Sequence, residues 1–373
     1  MAHVIGKAVQ GGVDTLIVNY YRHIDRSKVQ FDFFIDGLQP TIYDEEIHAM
    51  GGRLFKLPPY EKDLLGNLRE FRKILRANPY QIIHCHMNSL SVLWLREAKR
   101  AKIPIRIAHS HSTASKDEGL RALLKHLLKP FSGLYPTHYA ACSEYAARWL
   151  FGKKVWESGK VLIIHNAIDL EKFTFRENVR NEVRRSLNLE SRFVIGHVGR
   201  FARQKNHRFL VNVFKEIYRR DQSAALLLVG DGELRKETEK LAAENGISES
   251  VFFLGSRRDV NELFQAMDIF ALPSYYEGLP VAAVEAQAAG LPCVMSDRIT
   301  KEVILGPDAS LLSLDSPVQI WADKLLQYKS RERAGGLSTP LSGAFDIRRA
   351  AGKLCDFYCS LLETESNLYG EAA

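Results

Sequence analysis

No stretch of this 373-residue chain is apolar for long enough to span a bilayer. Its N-terminus, Met1-Ala-His-Val-Ile-Gly6, lacks a charged segment followed by a long apolar core, so no secretory signal is expected and a cytoplasmic location is. Cysteine is scarce: Cys85, Cys142, Cys293, Cys355 and Cys359 are odd in number, dispersed, and form no Cys-x-x-Cys pair. That excludes a disulfide framework and points to buried thiols in a reducing compartment. There is no solenoid-period repeat, no low-complexity tract and no Asp-x-Asp pair for a metal-held diphosphate. No recognition-helix motif and no aromatic RNA-binding signature occur, so nucleic acid is not an expected partner.

What is present is a globular composition, 46% hydrophobic, on a chain long enough for two domains. Its charge is uneven. Residues 1–170 carry 24 Lys/Arg against 16 Asp/Glu, net +8, whereas residues 171–373 carry 27 against 28, net −1. A basic half suits an anionic partner surface: phospholipid, a lipid pyrophosphate or nucleic acid.

Short apolar runs at His3–Gly6, Phe31–Ile35, Ile82–Cys85, Ile105–His109, Tyr139–Ala141 and Val161–His165 read as strands. Amphipathic stretches such as Leu64–Ala77 and Leu90–Lys102 lie between them. The pattern restarts with strands at Phe193–Val198, Ala225–Val229, Val251–Leu254, Ile269–Leu272 and Pro292–Met295. Helical stretches at Phe209–Arg220, Leu234–Asn245, Val260–Met267 and Val281–Ala289 separate these. Two successive strand–helix alternations predict two doubly wound α/β domains, 1–170 and 171–345, with ligand at the carboxyl ends of the strands. A loop or linker is expected at 333–343. An apolar stripe over Asp346–Leu362 then predicts a helix that needs a partner surface.

The most informative segment is Glu277-Gly-Leu-Pro-Val-Ala-Ala-Val-Glu285. A loop carries the first carboxylate, and a helix opening near Pro280 carries the second two turns in. The amides of Val281 and Ala282 and the helix dipole favour an anion at that mouth. Two acids that accept hydroxyl hydrogens beside a phosphate-binding amide nest describe a nucleotide-sugar site. The competing reading, an acid that merely caps a helix, is commonplace. Gly199-Arg200-Phe-Ala-Arg203-Gln-Lys205-Asn206 follows a predicted strand and offers a fork and a point charge for a diphosphate. Val229-Gly-Asp-Gly232 has Arg235 where a dinucleotide fingerprint needs its third glycine, so it reads as a tight turn. Gly255-Ser256-Arg257 is a further strand-end turn that could hold a nucleobase edge, or serve only as a connection.

Taken together, Gly199-Arg200 with Lys205, Val229–Gly232, Phe253-Leu-Gly255, Pro273-Ser274 and the Glu277–Glu285 pair resemble glycosyltransferase family 4, the retaining enzymes of GT-B architecture. The resemblance extends more loosely to Gly11-Gly12 as a glycine-rich loop after the first strand. It extends also to Asn166-Ala-Ile-Asp169 between the domains, where Ala167 replaces the usual glycine and its backbone must avoid a left-handed conformation. The resemblance implies that Arg200 and Lys205 neutralise the donor diphosphate, Glu285 accepts from ribose hydroxyls and Glu277 holds sugar hydroxyls. Gly11, Gly12, Gly230, Gly255, Ser256, Arg257, Gly278, Leu279 and Val281 complete the expected substrate contacts. Residues 346–363 would return to the first domain. The implied donor is a nucleotide sugar of the UDP class and the acceptor a saccharide or lipid-linked saccharide in capsule, exopolysaccharide or cell-surface glycan synthesis, with no cofactor. A nucleotide-sugar epimerase, a phosphorylase (for which no cofactor-binding lysine is evident) and a non-catalytic nucleotide or nucleic-acid binder are the alternatives.

In the first half, His84-Cys-His86 and His109-Ser-His111 end two predicted strands. Within a strand, positions two apart share a face, so His84 and His86 read as the only like-facing pair there, without a carboxylate to complete a metal set. No metal is therefore expected. The family likeness places one of His109 and His111 against the transferred sugar, with His111 favoured. Finally, Gly119–Phe131 interleaves Leu120, Leu123, Leu124, Leu127, Leu128 and Phe131 with Arg121, Lys125 and Lys129. Such a helix packs on a core with its charges solvated, or lies on an anionic membrane.

Overall fold

The computed structural model describes residues 1–6, 13–111, 119–331, 333 and 342–370. The chain forms two compact units. One is Met1–Ala167 together with the chain from Ile347 onward, and the other is Ile168–Asp346. Both are α/β, and each is built on one parallel sheet, as the alternating pattern predicts.

The first sheet has seven strands: β1 (Ala2–Ile5), β2 (Asp32–Asp36), β3 (Leu54–Leu57), β4 (Ile82–Cys85), β5 (Ile105–Ser110), β6 (His138–Ala141) and β7 (Val161–Ile163), in the order β3-β2-β1-β4-β5-β6-β7. The second has six: β8 (Phe193–Val198), β9 (Ala224–Val229), β10 (Val251–Phe253), β11 (Ile269–Leu272), β12 (Cys293–Ser296) and β13 (Ala309–Leu312), in the order β10-β9-β8-β11-β12-β13. The order reverses beside β1 and again beside β8, which creates a topological switch point in each unit. Central strands such as β1, β9 and β12 are buried along their whole length. That is why they read as continuous apolar runs and not as alternating ones. The strands not anticipated from sequence, β3 and β13, are both sheet edges whose residues are mostly half-buried. With one side open, selection for apolar residues is weak there.

Local chemistry sets the helix ends. Helix Leu64–Ala77 starts at Asp63, whose carboxylate accepts from the Gly66 amide at 2.8 Å. Helix His207–Arg220 starts at Asn206, which takes the left-handed conformation (φ 57°) that asparagine tolerates. Ala167 is not among the residues of positive φ. The helix Ile347–Gly370 belongs to the first unit. It buries Ile347, Ala351, Leu354, Tyr358 and Leu361 against Leu16, Ile17, Tyr20, Ile24 and Phe31. Each such aliphatic or aromatic side chain contributes about 1.5–3 kcal/mol by leaving water.

In the second unit, three strand-end turns are stitched together. The Gly199 amide donates to the Val229 carbonyl at 2.9 Å, Phe201 to Asp231 at 3.0 Å, and Gly230 to Gly255 at 2.8 Å. Gly230 lies at φ 134°, and a Cβ there would stand 2.1 Å from the Gly199 carbonyl oxygen. Neither strain could be relieved without parting the turns. Gly230→Ala is therefore expected to cost roughly 3 kcal/mol in stability. Urea unfolding, with the midpoint compared at constant m-value, measures this.

Candidate functional site

The carboxyl ends of β8 and β11 are neighbours at the switch point of the second unit, since these strands pair directly. The loop after β8 carries Arg200 and Lys205, and the loop after β11 carries Glu277. They meet. Lys205 Nζ donates to Glu277 Oε1 at 2.7 Å, with the two side chains only 16% and 9% exposed. An ion pair this sheltered needs further hydrogen bonds to offset desolvation. Gln204 supplies them: its Nε2 donates to Glu277 Oε2 at 3.0 Å and to the Tyr276 carbonyl at 2.9 Å. Its own carbonyl accepts from the Tyr275 amide at 2.9 Å. Gln204 had no role assigned from sequence. Its position between Arg203 and Lys205 was the available signal, and only the docked loop gives it meaning.

Arg200 is solvent-facing, 67% exposed, and reaches Glu233 at 2.9 Å. An exposed pair of this kind contributes little and is readily exchanged for another anion. Gly199 leaves little room for a side chain, because a Cβ would lie 3.1 Å from both His197 Nε2 and the Lys205 stem. Gly230 and Gly255, both at positive φ, belong to the stitched turns and so shape the floor beside Arg200. Ser256 and Arg257 are exposed beyond them, with Arg257 Nε donating to Asp259 at 2.8 Å.

Past Glu277, Gly278 and Leu279 are buried and lead into helix Val281–Ala288, which opens at Pro280. The first-turn amides of Val281 and Ala282 have no intrahelical acceptor. Glu285 sits one turn further on the same helix, partly buried, and desolvation pushes its carboxyl up to about 7. One switch point thus gathers two cationic side chains, a helix N-terminus and an acid–lysine pair, with a second acid on the same helix. This arrangement can bind an anion at the amides and cations while offering carboxylates to hydroxyl groups.

The first unit places the remaining candidates. His109 lies next to the last residue of β5 and His111 follows the strand, both buried. Gly11 and Gly12 lie outside the described residues. The expectation that His84 and His86 form an isolated like-facing pair is corrected. Parallel pairing sets His3 of β1 opposite His84, and His109 and His111 extend the same face from β5. His3 Nδ1 meets His86 Nε2 at 2.9 Å, and His86 Nδ1 meets His111 Nε2 at 2.8 Å. His84 Nε2 meets His109 Nδ1 at 3.0 Å, and His84 Nδ1 meets the Tyr358 hydroxyl at 2.7 Å. Reasoning within one strand could not reveal partners that come from neighbouring strands and a distant helix. Burial, reinforced by neighbouring imidazoles, holds His3, His86 and His109 well below the ordinary imidazole value. Burial and His111 do the same for His84, and burial alone lowers His111 to about 3.

Helix Gly119–Leu128 leaves Leu123 56% and Leu127 60% exposed, with Phe131 and Leu134 also exposed beyond it, while Leu128 packs partly buried against the core. The simple expectation that this stripe packs on the core fails for the exposed positions.

Comparison with known proteins completes the picture. Residues 10–172 match the family described as Glycosyltransferase Family 4, and residues 179–332 match Glycosyl transferases group 1. The "Putative glycosyltransferase EpsF" of Bacillus subtilis (strain 168) is 36% identical over 375 residues, spanning 98% of this chain and 97% of that protein. A UDP-Gal:alpha-D-GlcNAc-diphosphoundecaprenol alpha-1,3-galactosyltransferase of Escherichia coli is 27% identical over 307 residues, 78% of each. The crystal structure of Anabaena Alr3699/HepE in complex with UDP and glucose superposes with a TM-score of 0.80 at 16% identity, covering 96% of this chain and 99% of that one. The chain is a glycosyltransferase and belongs to glycosyltransferase family 4.

Proposed function

We propose that this enzyme transfers a sugar, with retention of anomeric configuration, from a UDP-class nucleotide sugar to a saccharide or lipid-linked saccharide during capsule, exopolysaccharide or cell-surface glycan synthesis. The observation that carries this reading is the junction of the β8 and β11 loops, where Lys205, Gln204 and Glu277 interlock beside Arg200 and the Val281 helix mouth. The names of the relatives, one acting on a UDP-sugar and a diphosphoundecaprenol-linked acceptor, support the substrate classes.

The chemical demand is charge building on the departing diphosphate. In this reading Arg200 exchanges Glu233 for a phosphate oxygen, and Lys205, already fixed by Glu277, presents its ammonium without reorganisation. The free amides of Val281 and Ala282 take further charge. Preorganised donors of this kind stabilise a transition state most where water is scarce. Glu277 keeps Lys205 in place while its carboxylate holds sugar hydroxyls, and Glu285 accepts from the ribose. One of His109 and His111, each neutral at working pH, faces the sugar. No metal or cofactor enters the transfer step. An epimerase of similar architecture is the alternative: it would interconvert nucleotide sugars without an acceptor, so product analysis separates the two.

The acceptor side is assigned to the basic first unit. Exposed Leu123, Leu124, Leu127 and Phe131, flanked by Lys125 and Lys129, suit a surface that rests on anionic lipid.

Three outcomes are expected. Arg200→Ala and Lys205→Ala should each lower kcat/KM about a hundredfold with folding unchanged by circular dichroism, the size of one transition-state donor. Unchanged turnover in both would reject the site. Nucleotide affinity should fall as pH drops through about 7, because protonated Glu285 loses an acceptor. Glu285→Gln should bind more weakly and lose that pH dependence in calorimetry. The protein should float with vesicles containing anionic lipid at low salt and be released at high salt. Equal flotation with neutral vesicles would remove the membrane assignment.

A further inference from the structure

The five imidazoles between β1, β4, β5 and the helix Ile347–Gly370 are not fully satisfied by one another. Two ring nitrogens, His3 Nε2 and His109 Nε2, are buried without a hydrogen-bond partner among the described residues. A buried polar atom left this way costs about 1–3 kcal/mol. Neutral imidazole is the form that ligates metal. Two overlapping sets stand close enough: His3, His84 and His86, and His86, His109 and His111. In each, one ring nitrogen per residue lies within 4.8 Å of the others.

We propose that His86, His109 and His111 bind a zinc-class divalent ion, with His3, His84 and Tyr358 orienting the ligands. The choice between the two sets follows from counting hydrogen bonds. In the outer set, His86 coordinates through Nδ1 and donates its Nε2–H to His3 Nδ1. His109 coordinates through Nε2, the orphaned atom, and donates its Nδ1–H to His84 Nε2. His84 in turn donates Nδ1–H to the Tyr358 hydroxyl. Each of these contacts already exists at 2.7–3.0 Å, and each is the outer-shell support that metal-bound histidines require. Only His3 Nε2 stays unpaired. In the inner set, His109 would keep its unpaired Nε2 and also lose His84 as the partner of Nδ1. Access agrees, because His111, which only the outer set uses, is 8% exposed, while His3 and His84, which only the inner set uses, are 0% and 1%.

For one ligand pair the geometry asks for a small adjustment. Ligand nitrogens around tetrahedral zinc at about 2.0–2.1 Å stand about 3.3 Å apart. His86 Nδ1 and His111 Nε2 are now 2.8 Å apart, so the rings would part by about half an ångström. Three imidazoles leave a fourth position for water. His109 and His111 would then serve the ion as well as the sugar reading, whereas the cations proposed for the diphosphate belong to the second unit.

The test uses the full chain, stripped with chelator and titrated with ZnCl2 or CoCl2 at neutral pH. One equivalent of zinc should survive desalting and raise the thermal midpoint, as expected for an ion that binds the folded state alone. Co2+ should give the intense visible bands of a four-coordinate site in the wild-type protein, a readout that needs no variant to fold. His86→Gln should abolish both signals, and His3→Gln should keep the stoichiometry. Absence of stoichiometric zinc together with a weak six-coordinate Co2+ spectrum would overturn the proposal. Retention by His111→Gln with loss by His3→Gln would overturn the assignment to the outer set. None of these readouts involves donor or acceptor, so their failure leaves the transfer reading standing.

Discussion

Direct pairing of β8 with β11 is the constraint on which the second unit depends. Because β9 and β10 lie on the far side of β8, the loops that follow β8 and β11 emerge side by side. Residues 72 positions apart in sequence are thereby brought together. Lys205 and Glu277 can then pair at 2.7 Å, and Gln204 bonds both the acid and the backbone beneath it. A sheltered ion pair gains little net stability unless such supports are present. Its value here is positional, since it holds an ammonium and a carboxylate at the mouth of the Val281 helix before any ligand arrives.

The two units solve different electrostatic problems on similar sheets. The second collects opposite charges at its strand ends and keeps them partly solvated, as the 67% exposure of Arg200 shows. The first buries five titratable rings in neutral form under a helix contributed by the other end of the chain. Neutral imidazoles survive burial because each can donate to one neighbour and accept from another, a reciprocity that ammonium or carboxylate groups lack. The helix that closes this layer does so with both kinds of contact, apolar packing through Ile347, Ala351 and Leu354 and a hydroxyl at Tyr358.

Glycine performs a comparable service in the second unit. At Gly230 the backbone of one turn comes so near the carbonyl of Gly199 that no side chain fits between them. Close approach lets three successive strand-end turns share hydrogen bonds, which makes the floor under the cationic loop a single stiff element. The side chains proposed to face substrate stand on that floor, but the floor itself is built almost entirely of peptide groups.

Much of the fold was legible because buried parallel strands are continuous apolar runs. β8 was read from sequence at its observed limits, as was the helix Leu64–Ala77. Edge strands β3 and β13 were not legible, since half-exposed positions carry a mixed sequence. Of the site, Arg200, Lys205, Glu277 and Glu285 were visible as residue types at strand ends and in a spaced pair. Gln204 was invisible as a participant, because an amide has no distinguishing chemistry until a partner is opposite it. The histidines show the boundary best. Sequence alone determined that His84 and His86 share a face, because strand geometry has a period of two, and that His109 and His111 form a second pair at a strand end. Only the tertiary structure decided that these pairs, His3 and Tyr358 meet, because strand order, register and the return of a C-terminal helix depend on contacts between residues up to 274 positions apart.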